Sequence, residues 1–291
     1  MSKKPKVGMW SGLTAVTAVL TAGAIVGTTV AFHYTTTVNN YLDADTYKII
    51  KGDSDEDTEY FKSDFTSDEE RESYEAELCA QVEAEGAALL KNDNNALPLA
   101  SGAKVSLFGH GSVDLMYGGT GSGSVDTSKA PNFKQALEDQ GIQVNSTLWD
   151  LYSSDDMMKN YSRITPAAIS DTLEANTQYA VNEAPWNKLS SAESSFADYG
   201  DAAIVVFSRS GGEGADLPSG ENGTNDSWIK GQEGDGNYLA LSAEEKELLQ
   251  NLKTLKDNGT FKKIIVLINS SNAIEMDFLN PEICGEDYGI D

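Results

Sequence analysis

The sequence predicts an α/β fold: a three-layer α/β/α sandwich with a mainly parallel sheet, preceded by an N-terminal transmembrane helix. Three observations point to it. Lys104–Gly109 (KVSLFG), Ala202–Ser208 (AAIVVFS) and Lys263–Asn269 (KIIVLIN) are short apolar runs of the kind covered on both faces. Segments with apolar residues at helical spacing lie between them, and parallel strands need such crossovers. Ahead of all this, Lys3, Lys4 and Lys6 precede an uncharged run of 26 residues, Val7 to Phe32.

At about 1.5 Å per residue that run spans roughly 39 Å, more than the hydrocarbon core of a bilayer. The lysines before it place the N-terminus inside, so residues 1–40 read as a cytoplasmic basic tip and transmembrane anchor. The rest is then extracytoplasmic, on a single-pass protein of the cell membrane. A cleavable signal peptide is the competing reading, because Ala22-Gly23-Ala24 has the A-x-A form. Residues 41–66 read as an acidic tether, with Asp53, Asp55, Glu56, Asp57 and Glu59 inside seven positions. That cluster lacks the glycine and closing glutamate of a calcium loop.

The sandwich is expected over residues 67–291. Ser67 with Glu70 matches a capping box, and Tyr74, Leu78, Val82, Ala88 and Leu89 continue a helical stripe to Leu90. Cys79 lies near that stripe and reads as a small buried hydrophobe. KVSLFG is the first strand, Asn132–Gln140 a helix ended by Gly141, Ile142–Asn145 a short strand and 146–160 a helix. A further helix is expected over Pro166–Tyr179, then the AAIVVFS strand. Leu241–Leu255 is a helix with a second capping box, Ser242 and Glu245, before the KIIVLIN strand and a short helix in Ala273–Leu279.

Charge and composition exclude several functions. Lys plus Arg number 21 against 46 Asp plus Glu, a formal charge of −25, which argues against nucleic acid as a partner. Two cysteines, Cys79 and Cys284, make no disulfide scaffold. His33 and His110, with no CxxC or HExxH pattern, give no zinc site, and no cofactor or metal is expected.

Ligands of such a sheet bind beyond the carboxyl ends of its strands. Two loops there are unusual. After KVSLFG comes His110 to Val125, containing Gly118-Gly119-Thr120-Gly121-Ser122-Gly123-Ser124. It lacks the G-x-G-x-x-G register and the P-loop lysine, so it reads as a polar loop lining a pocket rather than a nucleotide cradle. After AAIVVFSRS comes Gly211-Gly212-Glu213-Gly214-Ala215-Asp216, then a long polar stretch to about Asn237. Taken on composition alone, Glu213 is either an ordinary turn acid or a carboxylate aimed into a cleft.

From about Glu83 to Asp291 the chain resembles the α/β sandwich domain of family 3 glycoside hydrolases, the β-glucosidase family. The resemblance is carried by EGAALLKN (85–92) with Leu97-Pro98-Leu99, KVSLFG with the GGTGSGS loop, AAIVVFSRSGGEGAD (202–216), YLALSAEEKELL (238–249) and KIIVLINSSNAIE (263–275). It implies an exported retaining β-glycosidase acting on terminal β-linked sugars. By that resemblance Glu213 is the general acid/base, with Asp216 as the alternative. Gly119, Thr120 and Ser122 line the sugar pocket. The nucleophile is an aspartate of a (β/α)8 barrel domain, absent here. An acid role requires Glu213 to keep its proton near neutrality, through desolvation or a neighbouring ionised aspartate.

An anchor directly before the sandwich is similar to the permuted members, whose barrel follows. The chain stops at Asp291, before the last strand and helix of that sandwich, so a C-terminally truncated piece, inactive alone, is expected. Two other readings stay open: a membrane-tethered carbohydrate-binding module without catalysis, and a surface interaction domain.

Overall fold

The computed structural model describes residues 7–42, 63–165, 179–213, 217 and 237–291. It divides into two compact units, Met1–Gly86 and Ala87–Asp291. Lys3, Lys4, Lys6, most of the acidic tether, the expected helix up to residue 178, and Asp216 lie outside the described residues.

In the first unit, α1 runs from Val7 to His33 and α2 from Thr35 to Tyr41. Trp10–His33, 24 residues of mean hydropathy 1.8, is long and apolar enough to cross a membrane, and a signal sequence meets the same test. Its threonines are compatible with either. Thr14, Thr21, Thr28 and Thr29 each donate their hydroxyl to the carbonyl four residues earlier, which hides the polar group against the helix's own backbone.

Helix α3, Asp68–Gly86, starts where the capping signal places it: Glu70 N–H donates to Ser67 Oγ at 3.2 Å. The returning carboxylate of Glu70 accepts from Thr66 N–H at 2.8 Å rather than from Ser67. The helix ends four residues before Leu90, and none of its residues is buried. Tyr74, Leu78, Val82 and Cys79 are exposed, against the expectation of a packed face. The apolar stripe is one residue wide between acidic flanks, and what holds this helix is local: Arg71 with Glu75 at 2.7 Å and Gln81 with Glu85 at 2.8 Å.

In the second unit, β1 (Lys104–Phe108), β2 (Gln143–Val144), β3 (Ala202–Arg209) and β4 (Ile264–Ser270) form a parallel sheet in the order β2-β1-β3-β4. Alternate residues of β3 serve opposite faces. Ala203, Val205 and Phe207 enter one core with Leu248, Leu249 and Leu252 of the helix Ala243–Asp257. Ala202 and Ile204 enter the other with Val105, Leu107 and, from α4 (Phe133–Asp139), Phe133 and Leu137. The sheet therefore has helices on both sides, as the sequence predicts.

Three elements differ in detail. The helix expected over 146–160 is two, α5 (Ser146–Tyr152) and α6 (Asp155–Asn160), because Ser154 turns out of the first to cap the second by accepting from Met157 N–H. The helix Ala243–Asp257, hereafter α7, carries the full capping box of Ser242 and Glu245. β4 is only half-buried, with Leu267 39% exposed, since it is the edge of the described sheet and its apolar run has cover on fewer sides. Ala273–Leu279 reduces to a single 3-10 turn at Asp277–Leu279, followed by α8 (Pro281–Cys284).

The larger core centres on Phe108, whose ring stacks on Trp186 at 6.3 Å and meets Phe196 and Phe261 edge-on at 5.2 and 5.6 Å. Phe108 is the last residue of β1, so this cluster fixes where the first of the two glycine-rich loops begins. Phe108→Ala is expected to lower the unfolding free energy by about 3–5 kcal/mol, read from the urea midpoint at unchanged slope. A shift below about 1 kcal/mol would mean the ring cluster is loosely packed.

Candidate active site

β1 pairs with β2 on one side and β3 on the other, so the strand order reverses at the β1/β3 gap. The crevice above such a reversal is where parallel sheets bind ligands. The two loops singled out in the sequence leave β1 and β3 at that gap and join each other. Thr120 and Gly212 form an isolated parallel bridge. Thr120 donates its hydroxyl to the Glu213 carbonyl at 3.2 Å, so the Tyr179 hydroxyl, 2.7 Å away, is the group that donates to Thr120 Oγ1. Ser122 N–H donates to Glu213 Oε2 at 2.9 Å, and Ser122 Oγ donates to the same oxygen.

The approach is close enough to require glycine at two points. A Cβ on Gly212 would lie 2.4 Å from Thr120 N, and one on Gly121 2.7 Å from Glu213 Cβ. Gly121 also has φ +67°. Gly119 passes the base of the second loop, where a Cβ would sit 3.3 Å from the Gly211 carbonyl oxygen. Glu213, Thr120, Ser122 and Gly119 are thus brought together, while Asp216 lies outside the described residues.

The electrostatics of Glu213 run opposite to the sequence expectation. Its side chain is exposed, and the Ser122 hydroxyl and N–H hold the carboxyl below the usual glutamate range. Among the described residues there is neither the burial nor the adjacent carboxylate that would keep its proton on near neutrality.

Beneath the loops lies a set of groups that the sequence reading passed over. Arg209, the last residue of β3, is fully buried, and each of its five N–H groups has an acceptor. Nε donates to the Tyr238 carbonyl at 2.7 Å. Nη1 donates to the Ser208 carbonyl and Glu245 Oε1, and Nη2 to the Ala240 carbonyl and Glu245 Oε2, at 2.6–3.0 Å. Glu245 is at once the acid of the α7 capping box and the partner of this arginine. The visible signal was an arginine closing an apolar strand, which needs a buried acid somewhere in the chain.

On the β1 side, a cavity of about 440 Å³ opens among Asp114, Tyr117, Gly119, Asn132 and Arg163. Asp114 meets His110 Nε2 and Arg163 Nη2, each at 3.0 Å. Burial pushes its carboxyl up, but His110 and Arg163 outweigh that and hold it below the usual aspartate range. Glu183 supports the turn before this cavity, accepting from His110 N–H at 2.7 Å and Ala184 N–H at 3.0 Å. Burial, with Glu245 and Glu244 adding to it, raises Glu183 to about 8. Asn269, at the end of β4, holds Met116 at both main-chain groups, at 2.5 and 3.0 Å. Among the described residues no group of three or more His, Cys, Asp or Glu could hold a metal ion.

Residues 87–285 match the family described as the glycosyl hydrolase family 3 C-terminal domain. Beta-glucosidase A of Butyrivibrio fibrisolvens is 31% identical over 216 residues, which cover 68% of this chain and 23% of that protein. The beta-glucosidase of Ruminococcus albus is 30% identical over 207 residues, 70% of this chain and 18% of that protein. Beta-glucosidase 3B of Thermotoga neapolitana, solved in complex with glucose, superposes with a TM-score of 0.52 at 26% identity, covering 71% of this chain and 26% of its own. A beta-glucosidase from Paenibacillus barengoltzii gives 0.51 at 26% identity, covering 72% and 20%. The chain spans about a fifth of the length of the curated relatives it matches.

Two outcomes are expected of this geometry. Ser122→Ala removes one of the two donors and should raise the Glu213 carboxyl toward the ordinary glutamate range, read by carbon-13 NMR titration; an unmoved value would mean the hydroxyl contact is not formed. Glu183 sets a pH dependence. Between the ordinary glutamate value of 4.5 and about 8, the folded chain keeps a proton that the unfolded chain has released. Its contribution to stability is therefore full below 4.5 and is lost as pH rises through about 8. Urea unfolding across that window should show the decline in the wild type and a flatter profile in Glu183→Gln.

Proposed function

The chain belongs to the glycosyl hydrolase family 3 C-terminal domain family, and from that premise we propose that it is the part of a retaining β-glycosidase that supplies the general acid/base, Glu213. The observation that carries this reading is the presentation of Glu213 at the carboxyl edge of the sheet, on a loop joined through Thr120 and Ser122 to the neighbouring loop. An acid that must reach a bond cut elsewhere has to be exposed and held in direction, and Glu213 is both.

The substrate is a terminal β-linked glucoside or related sugar. Retaining hydrolysis needs two carboxyl groups about 5–5.5 Å apart, one attacking the anomeric carbon and one protonating the departing oxygen. Glu213 takes the second role. The nucleophile is an aspartate of a (β/α)8 barrel domain outside these 291 residues, so the chain alone has no turnover. Gly119, Thr120 and Ser122 line the sugar site, and Asp216 is the alternative acid.

The low proton affinity of Glu213 in the isolated domain suits the second half of such a reaction, in which the carboxylate takes a proton from water. For the first half, docking against an ionised nucleophile and bound sugar has to raise its pKa. The Ser122 contact is the one to be exchanged as that happens. We place the sandwich outside the cell membrane, tethered by α1 as a signal anchor, where polymeric or oligomeric glycosides are encountered. No nucleic acid or cofactor takes part.

In the complete protein, Glu213→Gln should lower kcat for an alkyl β-glucoside by about 10²–10⁴-fold, with a smaller loss for an activated aryl β-glucoside. Added azide should restore turnover of the activated substrate with β-glycosyl azide as product. Near-wild-type rates on the alkyl glucoside would remove Glu213 from the role and turn the test to Asp216→Asn.

A further inference from the structure

Ser210, Gly211 and Gly212 separate Glu213 from the end of β3, and two glycines in three residues leave that link with unusual backbone freedom. A carboxylate on such a tether would sweep a wide volume unless the link were fixed residue by residue, and it is. The Tyr238 hydroxyl accepts from Ser210 N–H at 2.8 Å and donates to the Ser210 carbonyl at 2.9 Å. The Ser271 hydroxyl treats the next residue in the same way, accepting from Gly211 N–H and donating to the Gly211 carbonyl, both at 2.9 Å. Gly212 is then bridged to Thr120.

Each hydroxyl stands in for a strand neighbour, offering one donor and one acceptor to a residue that has left the sheet. Neither hydroxyl comes from the Glu213 loop itself. Tyr238 lies just before α7, its carbonyl held by Arg209 Nε and its ring packed 6.1 Å from that of Tyr179, which in turn holds Thr120. Ser271 follows β4, and its N–H donates to the Arg209 carbonyl at 3.1 Å.

We infer that the Tyr238 and Ser271 hydroxyls are positioning groups that aim the Glu213 carboxyl at the departing oxygen. This rests on the acid/base role proposed for Glu213. Removing either hydroxyl leaves one loop N–H and one carbonyl without their partner and lets the link wander. A displacement of about an ångström at a proton donor can cost about a hundredfold in rate. In the bond-cleaving half, read as kcat/KM, the penalty falls on substrates whose leaving group needs the proton and spares those that leave unaided. The water-activating half slows for every substrate. A general loss of packing would lower kcat/KM for both kinds of substrate alike.

The experiment compares Tyr238→Phe, Ser271→Ala and Glu213→Gln in the complete protein on aryl and alkyl β-glucosides of graded leaving-group pKa. Tyr238→Phe and Ser271→Ala should each lose about 10–100-fold in kcat/KM on the poorest leaving group, with kcat/KM of dinitrophenyl β-glucoside near wild type. Hydrogen exchange at Gly211 to Glu213 should quicken, and Ser271→Thr should restore both properties. Ser271 lies outside the buried core, so its variants carry the test even if Tyr238→Phe folds poorly. Equal losses of kcat/KM across all leaving groups in Ser271→Ala, beside a selective loss in Glu213→Gln, overturn the positioning role and leave the acid/base reading standing. A Glu213→Gln profile without leaving-group selectivity overturns both.

Discussion

Arg209 is where the structure converges. A guanidinium taken out of water is tolerable only if its charge is matched and its donors are all used, and here the match is Glu245 with three carbonyl groups closing the set. Because Arg209 ends β3, Glu245 belongs to the first turn of α7, and Tyr238 and Ala240 precede that helix, one side chain ties strand, helix start and intervening turn into a single unit. Breaking such a pair by removing one partner strands the other charge in the core. The loops above inherit their geometry from this unit.

Above it, the order of forces changes from charge to hydroxyl. In Ser122 with Glu213, Tyr238 with Ser210 and Ser271 with Gly211 a neutral O–H meets a main-chain or carboxylate group, and in Tyr179 with Thr120 it meets a second hydroxyl. The glycines that make the two loops flexible also let them approach closely enough for these contacts. Flexibility of composition and definition of place are therefore compatible in the same dozen residues.

What could be seen in the sequence follows from this division. The runs around Val105, Val205 and Val266, and the Ser242–Glu245 cap, are local patterns that burial on two faces and a helix start each demand, and they were legible. Cover is not local: the stripe of Tyr74, Leu78 and Val82 has the right spacing for a packed helix, yet no residue of α3 is buried, and Leu267 has the composition of a central strand at an edge position. Ser154 changed a helix into two because a serine can cap as readily as it can continue. At the site, Glu213 stood out through its glycines and the family pattern. Tyr238 and Ser271 did not, since a hydroxyl that grips a backbone far away in the chain leaves no spacing or charge signature behind.

The chain carries a formal charge of −25, and the field of such a charge contracts sharply as ionic strength rises. The three residues leading to Glu213 are fastened by uncharged groups, so brine and fresh water alike leave their attachment intact while the long-range attraction or repulsion felt by an arriving molecule changes. Aim and encounter are thereby governed by separate physics, and the medium can tune the second without disturbing the first.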